Sequence, residues 1–208
     1  MSKPHNYFTN SLERALALLD LAESQEEPND DLSRSAAVLS VAAYDHYFTS
    51  KFCDVLAGYL RKAKPNKELL EQLSRAGLNT EAALEIAVMK RPFRRIRSLL
   101  TSALSEKTTN RTKSIDNLFS GIDLNGLSGR VTKKIGKSSV PKSIDKLVDM
   151  RNDIVHSAHI NSHGKPKAVD GSKIRMRVQH VALFVNTSED IINDWVKSSA
   201  IASVSSST

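Results

Sequence analysis

A single cysteine, Cys53, excludes an internal disulfide framework and a multi-cysteine zinc site. It falls in an apolar helical run, where a thiol behaves as a small hydrophobe, and a reducing cytoplasm suits it. No stretch approaches the roughly 20 consecutive apolar residues that span a bilayer, and Met1 to Phe8 lacks the apolar segment of a signal peptide. A soluble, cytoplasmic protein with no membrane partner is therefore expected. Alternation of apolar and polar residues over strand length is missing, as is any internal repeat. Serine-nucleophile motifs, phosphate-cradling glycine loops and dinucleotide fingerprints are missing too, so no cofactor is expected. Acids are in deficit: 30 lysines and arginines stand against 23 aspartates and glutamates, a net charge of +7. That balance suits a polyanionic partner, but basic surfaces without such a purpose are common, so the placement of the charges must decide.

Apolar residues make up 40% of the chain, enough for a full core, and recur at helical spacing. Leu12, Ala15, Leu16, Leu19 and Ala22 mark one face of an amphipathic first helix. The acidic stretch Glu26 to Asp31 predicts a turn and a helix start, after which a long helix runs to about Lys62 without an internal proline. Its centre, Ala36 to Tyr47, is apolar except for Asp45 and His46, which places it in the middle of a bundle. Shorter helices are expected at about 67–75, 80–90 and 92–104, with caps at Asn79-Thr80-Glu81 and Pro92 in a first turn. The polar run Thr108 to Thr112 and the glycines at 121, 126, 129 and 136 predict loops with one or two short helices. A helix from about Pro141 to Ser157 follows, then a loop of about fifteen residues, a length often functional or mobile. A closing helix spans about Ser172 to Ser198. The chain reads as one all-α domain, 1–208, with an ordered core at about 10–198 and a frayed, serine-rich tail at 199–208.

The helix from about Pro141 to Ser157 carries an arginine on its apolar face. On a wheel of about 100° per residue, Ile144, Leu147, Val148, Ile154 and Val155 form an apolar arc with Arg151 in its middle. A guanidinium keeps its proton and is costly to bury unpaired, so Arg151 must meet an acid, a ligand or a water-filled cleft. A second arc, about 100° round, holds Asp145, Asp149, Asn152 and His156, while Asp153 is expected to face solvent. Two readings stay open. Arg151 pairs with Asp45 of the long helix and His156 rests near a helix carboxyl end, where a cation is favoured; or Arg151, Asn152 and His156 line a cleft.

The run Leu147-Val148-Asp149-Met150-Arg151-Asn152-Asp153-Ile154-Val155-His156 resembles the signature of the HEPN superfamily. That signature is an arginine and a histidine separated by four to six residues, with a polar residue directly after the arginine. Arg34 to Tyr47, a long helix with an acid near its middle, resembles the corresponding helix of the RiboL-PSP-HEPN branch, and the closing helix with Asp194-Trp195-Val196 is similar as well. The resemblance spans about residues 10 to 200 and is weakest between 105 and 140. It implies an HEPN-like helical bundle and a metal-independent endoribonuclease, in which a ribose 2′-hydroxyl attacks its neighbouring phosphate to leave a 2′,3′-cyclic phosphate and a 5′-hydroxyl. His156 would then move the proton, Arg151 would meet the charge developing on the phosphate, and Asn152 would hold the phosphate or fix the imidazole tautomer. The resemblance further implies a homodimer in which two Arg–His pairs face one another. It also implies a role as a toxin or phage-defence effector, with an antitoxin or regulatory protein as partner. The alternative is a non-catalytic module that binds nucleotide or RNA and keeps the Arg–His pair for structure; a purely structural dimerisation protein is a third reading.

Lys90, Arg91, Arg94, Arg95 and Arg97 pack five cations into eight residues, and Lys133, Lys134, Lys137 and Lys142 form a second basic stretch. Either is a solvated helix face or a contact for RNA phosphates, whose binding would be salt-dependent and largely sequence-independent. Lys173, Arg175 and Arg177 form a third. His156, His159 and His163 have the spacing of metal ligands on one helix face, but Asn161, Ser162 and Gly164 predict that the helix has ended, so no metal site is expected.

Overall fold

Helical spacing of apolar residues is realised along the chain: among the described residues there are nine helices and no strand. They are α1 (Lys3–Glu23), α2 (Asp30–Leu60), α3 (Lys67–Arg75), α4 (Thr80–Ala87), α5 (Pro92–Ser105), α6 (Thr112–Ser120), α7 (Leu127–Ile135), α8 (Ser139–Ser157) and α9 (Gly171–Ser205). The computed structural model describes residues 2–26, 29–105 and 111–205; residues 27–28 of the expected turn, 108–110 of the polar run Thr108 to Thr112, and 206–208 of the tail lie outside them.

Most helix starts follow from caps. Asn29 accepts from the backbone amides of Asp31 and Leu32, Asn66 from Leu69 and Asn79 from Ala82, each satisfying donors that the first turn leaves without partners. Three ends differ from expectation. Helix α1 begins at Lys3 rather than near Leu12, because Ser2 caps it and Pro4 fits its first turn. Helix α4 stops at Ala87 rather than Lys90, ahead of Arg91, whose helical conformation the ring of Pro92 disfavours. Helix α9 continues to Ser205 rather than ending near Ser198, since neither glycine nor proline interrupts that stretch.

Helix α2 is the centre of the bundle and packs against α1, α5, α6, α8 and α9. Tyr44, Tyr47, Phe48 and Phe52 are fully buried along it. Phe48 meets Tyr44, Phe119 and Phe184 edge to face, with ring centroids 5.0, 6.1 and 6.0 Å away, the arrangement that aligns positive ring edges with negative faces. One polar network crosses this core. Lys51 Nζ lies 2.7 Å from Glu189 of α9, Tyr47 donates to the same carboxylate at 2.9 Å, and the Ser2 amide donates at 3.1 Å. No helix among the described residues is long and apolar enough to cross a membrane.

Candidate active site

Helix α8 is held by one apolar stripe. Val140, Ile144, Leu147 and Val148 are fully buried, Ile154 is half-buried, and Val155 is 53% exposed. The expected arc therefore stops short: the core ends before the helix does, and Val155 is not part of it. Arg151 sits on the same stripe where burial fades. Its Nη1 donates to Asn152 Oδ1 at 3.1 Å, and its Nε is buried without a hydrogen-bond partner. Asp45, the partner that one of the two readings offers Arg151, is not joined to it by an ion pair among the described residues. Of the polar stripe, Asp149 is taken by Arg111, whose Nη2 approaches it to 2.5 Å, and burial raises the Asp145 carboxyl despite the nearby Arg111 charge. Asn152 is half-buried and His156 is exposed.

The helix ends abruptly after His156. Ala158 and His159 both adopt left-handed backbone, with φ of 52° and 55°; Ala158 N–H donates to the Asp153 carbonyl in a 6→1 closure, and His159 N–H donates to the same oxygen at 3.3 Å. His159 and His163 therefore lie beyond the helix, as their neighbours predicted. The chain then doubles back. Lys167 N–H donates to His159 O at 2.8 Å and Asn161 N–H to Lys165 O at 2.8 Å, with Gly164 turning at φ 74°. Asp153, expected to face solvent, instead anchors this loop. It receives Lys167 Nζ at 2.5 Å and Ser157 Oγ at 2.5 Å, and these two hydrogen bonds hold its carboxyl below the usual carboxylate range. His159 is only 8% exposed; burial, and then the positive charge of Arg34, push its imidazole down from the ordinary histidine value.

Arg34, which the sequence marks only as part of a helical resemblance, is the buried hub of this corner at 8% exposure. It is found by the reasoning that singles out Arg151: three residues before Ala37 and seven before Val41, it stands on the apolar face of its helix.

The first two basic clusters do not converge on this corner. Arg97 pairs with Asp54 and Arg61 lies over the ring of Phe93, so Lys90, Arg91, Arg94 and Arg95, all exposed, sit at the carboxyl end of α2. The corner beside His156 sits at Arg34, and the stretch of α2 from Arg34 to Asp54 is about 30 Å long at 1.5 Å per residue. Lys134 pairs with Asp190, and Lys137 acts on His180, which contacts Ser143 Oγ at 2.8 Å. That places Lys133, Lys134 and Lys137 toward the start of α8, about 20 Å along the helix from His156. Within the third stretch, Arg175 is engaged by Asp20 and Glu23, whereas Lys173 and Arg177 join Met150 and His159 around a cleft of about 250 Å³. A larger cleft of about 450 Å³ between α3, α5 and α6 includes none of Arg151, Asn152 or His156.

An all-α bundle presenting arginine, a polar neighbour and histidine in the last turns of one helix defines the HEPN class of domain. The chain belongs to the RiboL-PSP-HEPN family, whose model it matches over residues 8–194. HEPN domains are often ribonucleases, and membership points to RNA-related activity. No curated protein and no solved structure matches the chain.

Proposed function

We propose that the protein is a metal-independent endoribonuclease whose working unit is a homodimer, with Arg151, Asn152 and His156 of two protomers around one groove. The observation that supports this most is the state of the pair. Arg151 is half-buried on the core stripe, takes a neutral amide as its hydrogen-bond partner and keeps a buried Nε unmatched, while His156 stands in solvent one turn further on. With only a neutral amide competing for it among the described residues, such a guanidinium has its Nη donors, though not the buried Nε, available for a phosphate. The exposed apolar residues Val155 and Ile160, flanking His156 at 53% and 41% exposure, favour self-association at this end of α8.

The residues suit transesterification. A base takes the proton from a ribose 2′-hydroxyl, the freed oxygen bonds to the adjacent phosphorus, and the 5′-oxygen departs with a proton from an acid, leaving a 2′,3′-cyclic phosphate. Imidazole serves either step, so one His156 acts as base and its mate as acid. Arg151 meets the added negative charge on the non-bridging oxygens, and Asn152 keeps the guanidinium fork oriented through its Oδ1. A cytoplasmic role as a toxin or phage-defence effector, restrained by an antitoxin or regulator, is consistent with the family. Incubation of labelled RNA in EDTA with wild type, His156→Ala and Arg151→Ala tests the enzyme reading against a binding module. Cleavage by wild type alone supports it, and equal backgrounds in all three defeat it.

RNA backbone contact is proposed for Lys90, Arg91, Arg94 and Arg95, and for Lys133, Lys134 and Lys137, as tracks leading away from the cutting end. Reversing the charge of the first four weakens RNA binding and flattens its salt dependence by about 0.7 in log–log slope for each phosphate no longer neutralised. Arg97 is left intact because it holds Asp54. Titrations at several salt concentrations give the slope; an unchanged slope removes this patch from the RNA path.

A further inference from the structure

The corner beyond His156 is stitched together by one buried cation. Arg34 Nη2 donates 2.5 Å to the carbonyl of Lys167, Nε donates 3.3 Å to His159 Nδ1, and Nη1 donates 2.7 Å to Asp31, with Asp30 at 3.5 Å. Asp30 in turn accepts from the Val169 amide at 3.3 Å. Both arms of the returning loop are thus tied to the first turn of α2, and Lys167 carries the tie back to Asp153, which lies inside the arginine-to-histidine segment. Two consecutive non-glycine residues in left-handed backbone are strained and persist only where surrounding contacts over-determine them. Those contacts are the ones Arg34 and Asp153 make.

We propose that Arg34 and His159 are positioning residues for RNA cleavage: they lock the last turn of α8 and so fix where His156 points relative to Arg151. The proposal rests on the catalytic reading of that pair. An Nε–H donor requires His159 Nδ1 to be an acceptor, so the imidazole is neutral with its proton on Nε2, 3.9 Å from Asp153 Oδ2. A second proton on His159 places two cationic donors face to face and opens the latch. The charged groups around it are Arg34 and Asp30 on α2, Asp153 on α8, Lys167 in the loop, and Asp170, Lys173 and Arg177 around the adjoining cleft. Burial, with Arg34 and Lys167, lowers the proton affinity of His159 against the pull of Asp153 and Asp30, so the latch holds at neutral pH and opens on the acid side.

The test is steady-state cleavage of labelled RNA in EDTA across pH, with melting curves, for wild type and the variants Arg34→Ala, His159→Ala, His159→Asn and His156→Ala. In Arg34→Ala and His159→Ala, kcat falls roughly 10- to 100-fold while KM stays close to wild type, the cost of a misplaced reacting group. The asparagine in His159→Asn offers Oδ1 near the place of Nδ1 and does not titrate, so it retains most of the neutral-pH kcat and removes the extra steepness from the acid limb of the profile. If Arg34→Ala does not fold, the two His159 variants decide. Full kcat in His159→Ala beside an inactive His156→Ala overturns the positioning role and leaves the catalytic pair standing. Equal losses in His159→Asn and His159→Ala overturn the acceptor role. Wild-type cleavage by His156→Ala removes the catalytic reading, and the positioning role with it.

Discussion

His156→Ala lowers RNA cleavage by roughly 10²- to 10⁴-fold, the contribution of a positioned acid–base group. Arg151→Ala lowers it by about 10²- to 10³-fold, the effect of removing a donor aimed at developing charge. Both losses appear in EDTA and mainly in kcat, because both groups act on charge and protons that move only in the transition state. The two variants differ in what else they disturb. His156 is exposed, so its truncation leaves the melting temperature near wild type. Arg151 is half-buried but donates to the neighbouring Asn152, so truncation frees a neutral amide and strands no buried carboxylate. Arg151→Lys keeps the charge and loses the fork, and recovers only part of the rate. Kinetics on labelled RNA with melting curves from the same preparations separate lost chemistry from lost fold.

Breaking the buried pair of Lys51 and Glu189 costs about 3–5 kcal/mol, because either group alone is a charge left in the core. Their side chains are 3% and 7% exposed, and the carboxylate also accepts from Tyr47, Asn193 and the Ser2 amide. Lys51→Met or Glu189→Leu therefore lowers the melting temperature by roughly 6–20 °C in a chain of this size. The double variant loses less than the sum, since no unpaired charge remains. Burial by itself would raise the Glu189 carboxyl, but the hydrogen bonds from Lys51 and Ser2 and the Lys51 charge outweigh it and hold it at about 2. A carboxylate depressed from 4.5 to about 2 contributes stability that is complete above the unfolded value and is lost as pH falls toward 2. The amount is on the order of 3 kcal/mol. Urea unfolding at pH 7 and pH 3 measures it: wild type loses stability across that interval, and Glu189→Gln loses markedly less. Equal pH dependence in the two proteins excludes Glu189 as the source.

Helix positions are legible because their signals are local. Asn79 and Pro92 announce where α4 and α5 begin, and the apolar centre of α2 announces its place in the bundle. The arginine-to-histidine segment is legible for the same reason, being contained in one helix. What sequence withholds is which ends of helices meet. Lys133, Lys134 and Lys137 shortly precede α8 in the chain and Lys142 lies in its first turns, yet they occupy its beginning while His156 occupies its end. The wheel angle of Asp153 points it to solvent, but the returning loop, invisible to a wheel, brings Lys167 over it. Asp45 is a natural candidate for Arg151 because both interrupt apolar runs, but pairing depends on the relative rotation and height of α2 and α8, which periodicity leaves undetermined. The loop after α8 reads as open chain because its ties are distant: Arg34 contacts Lys167 and His159 across more than a hundred residues of sequence.

The most direct measurement is the activity of a purified heterodimer made from one wild-type protomer and one His156→Ala protomer, tagged differently and isolated together. If two copies of α8 share one phosphodiester, with one His156 as base and the other as acid, a single missing imidazole disables the site, and the heterodimer cleaves RNA far below half the wild-type rate. A heterodimer that retains half the wild-type activity, or a protein that cleaves RNA as a strict monomer, contradicts the shared site.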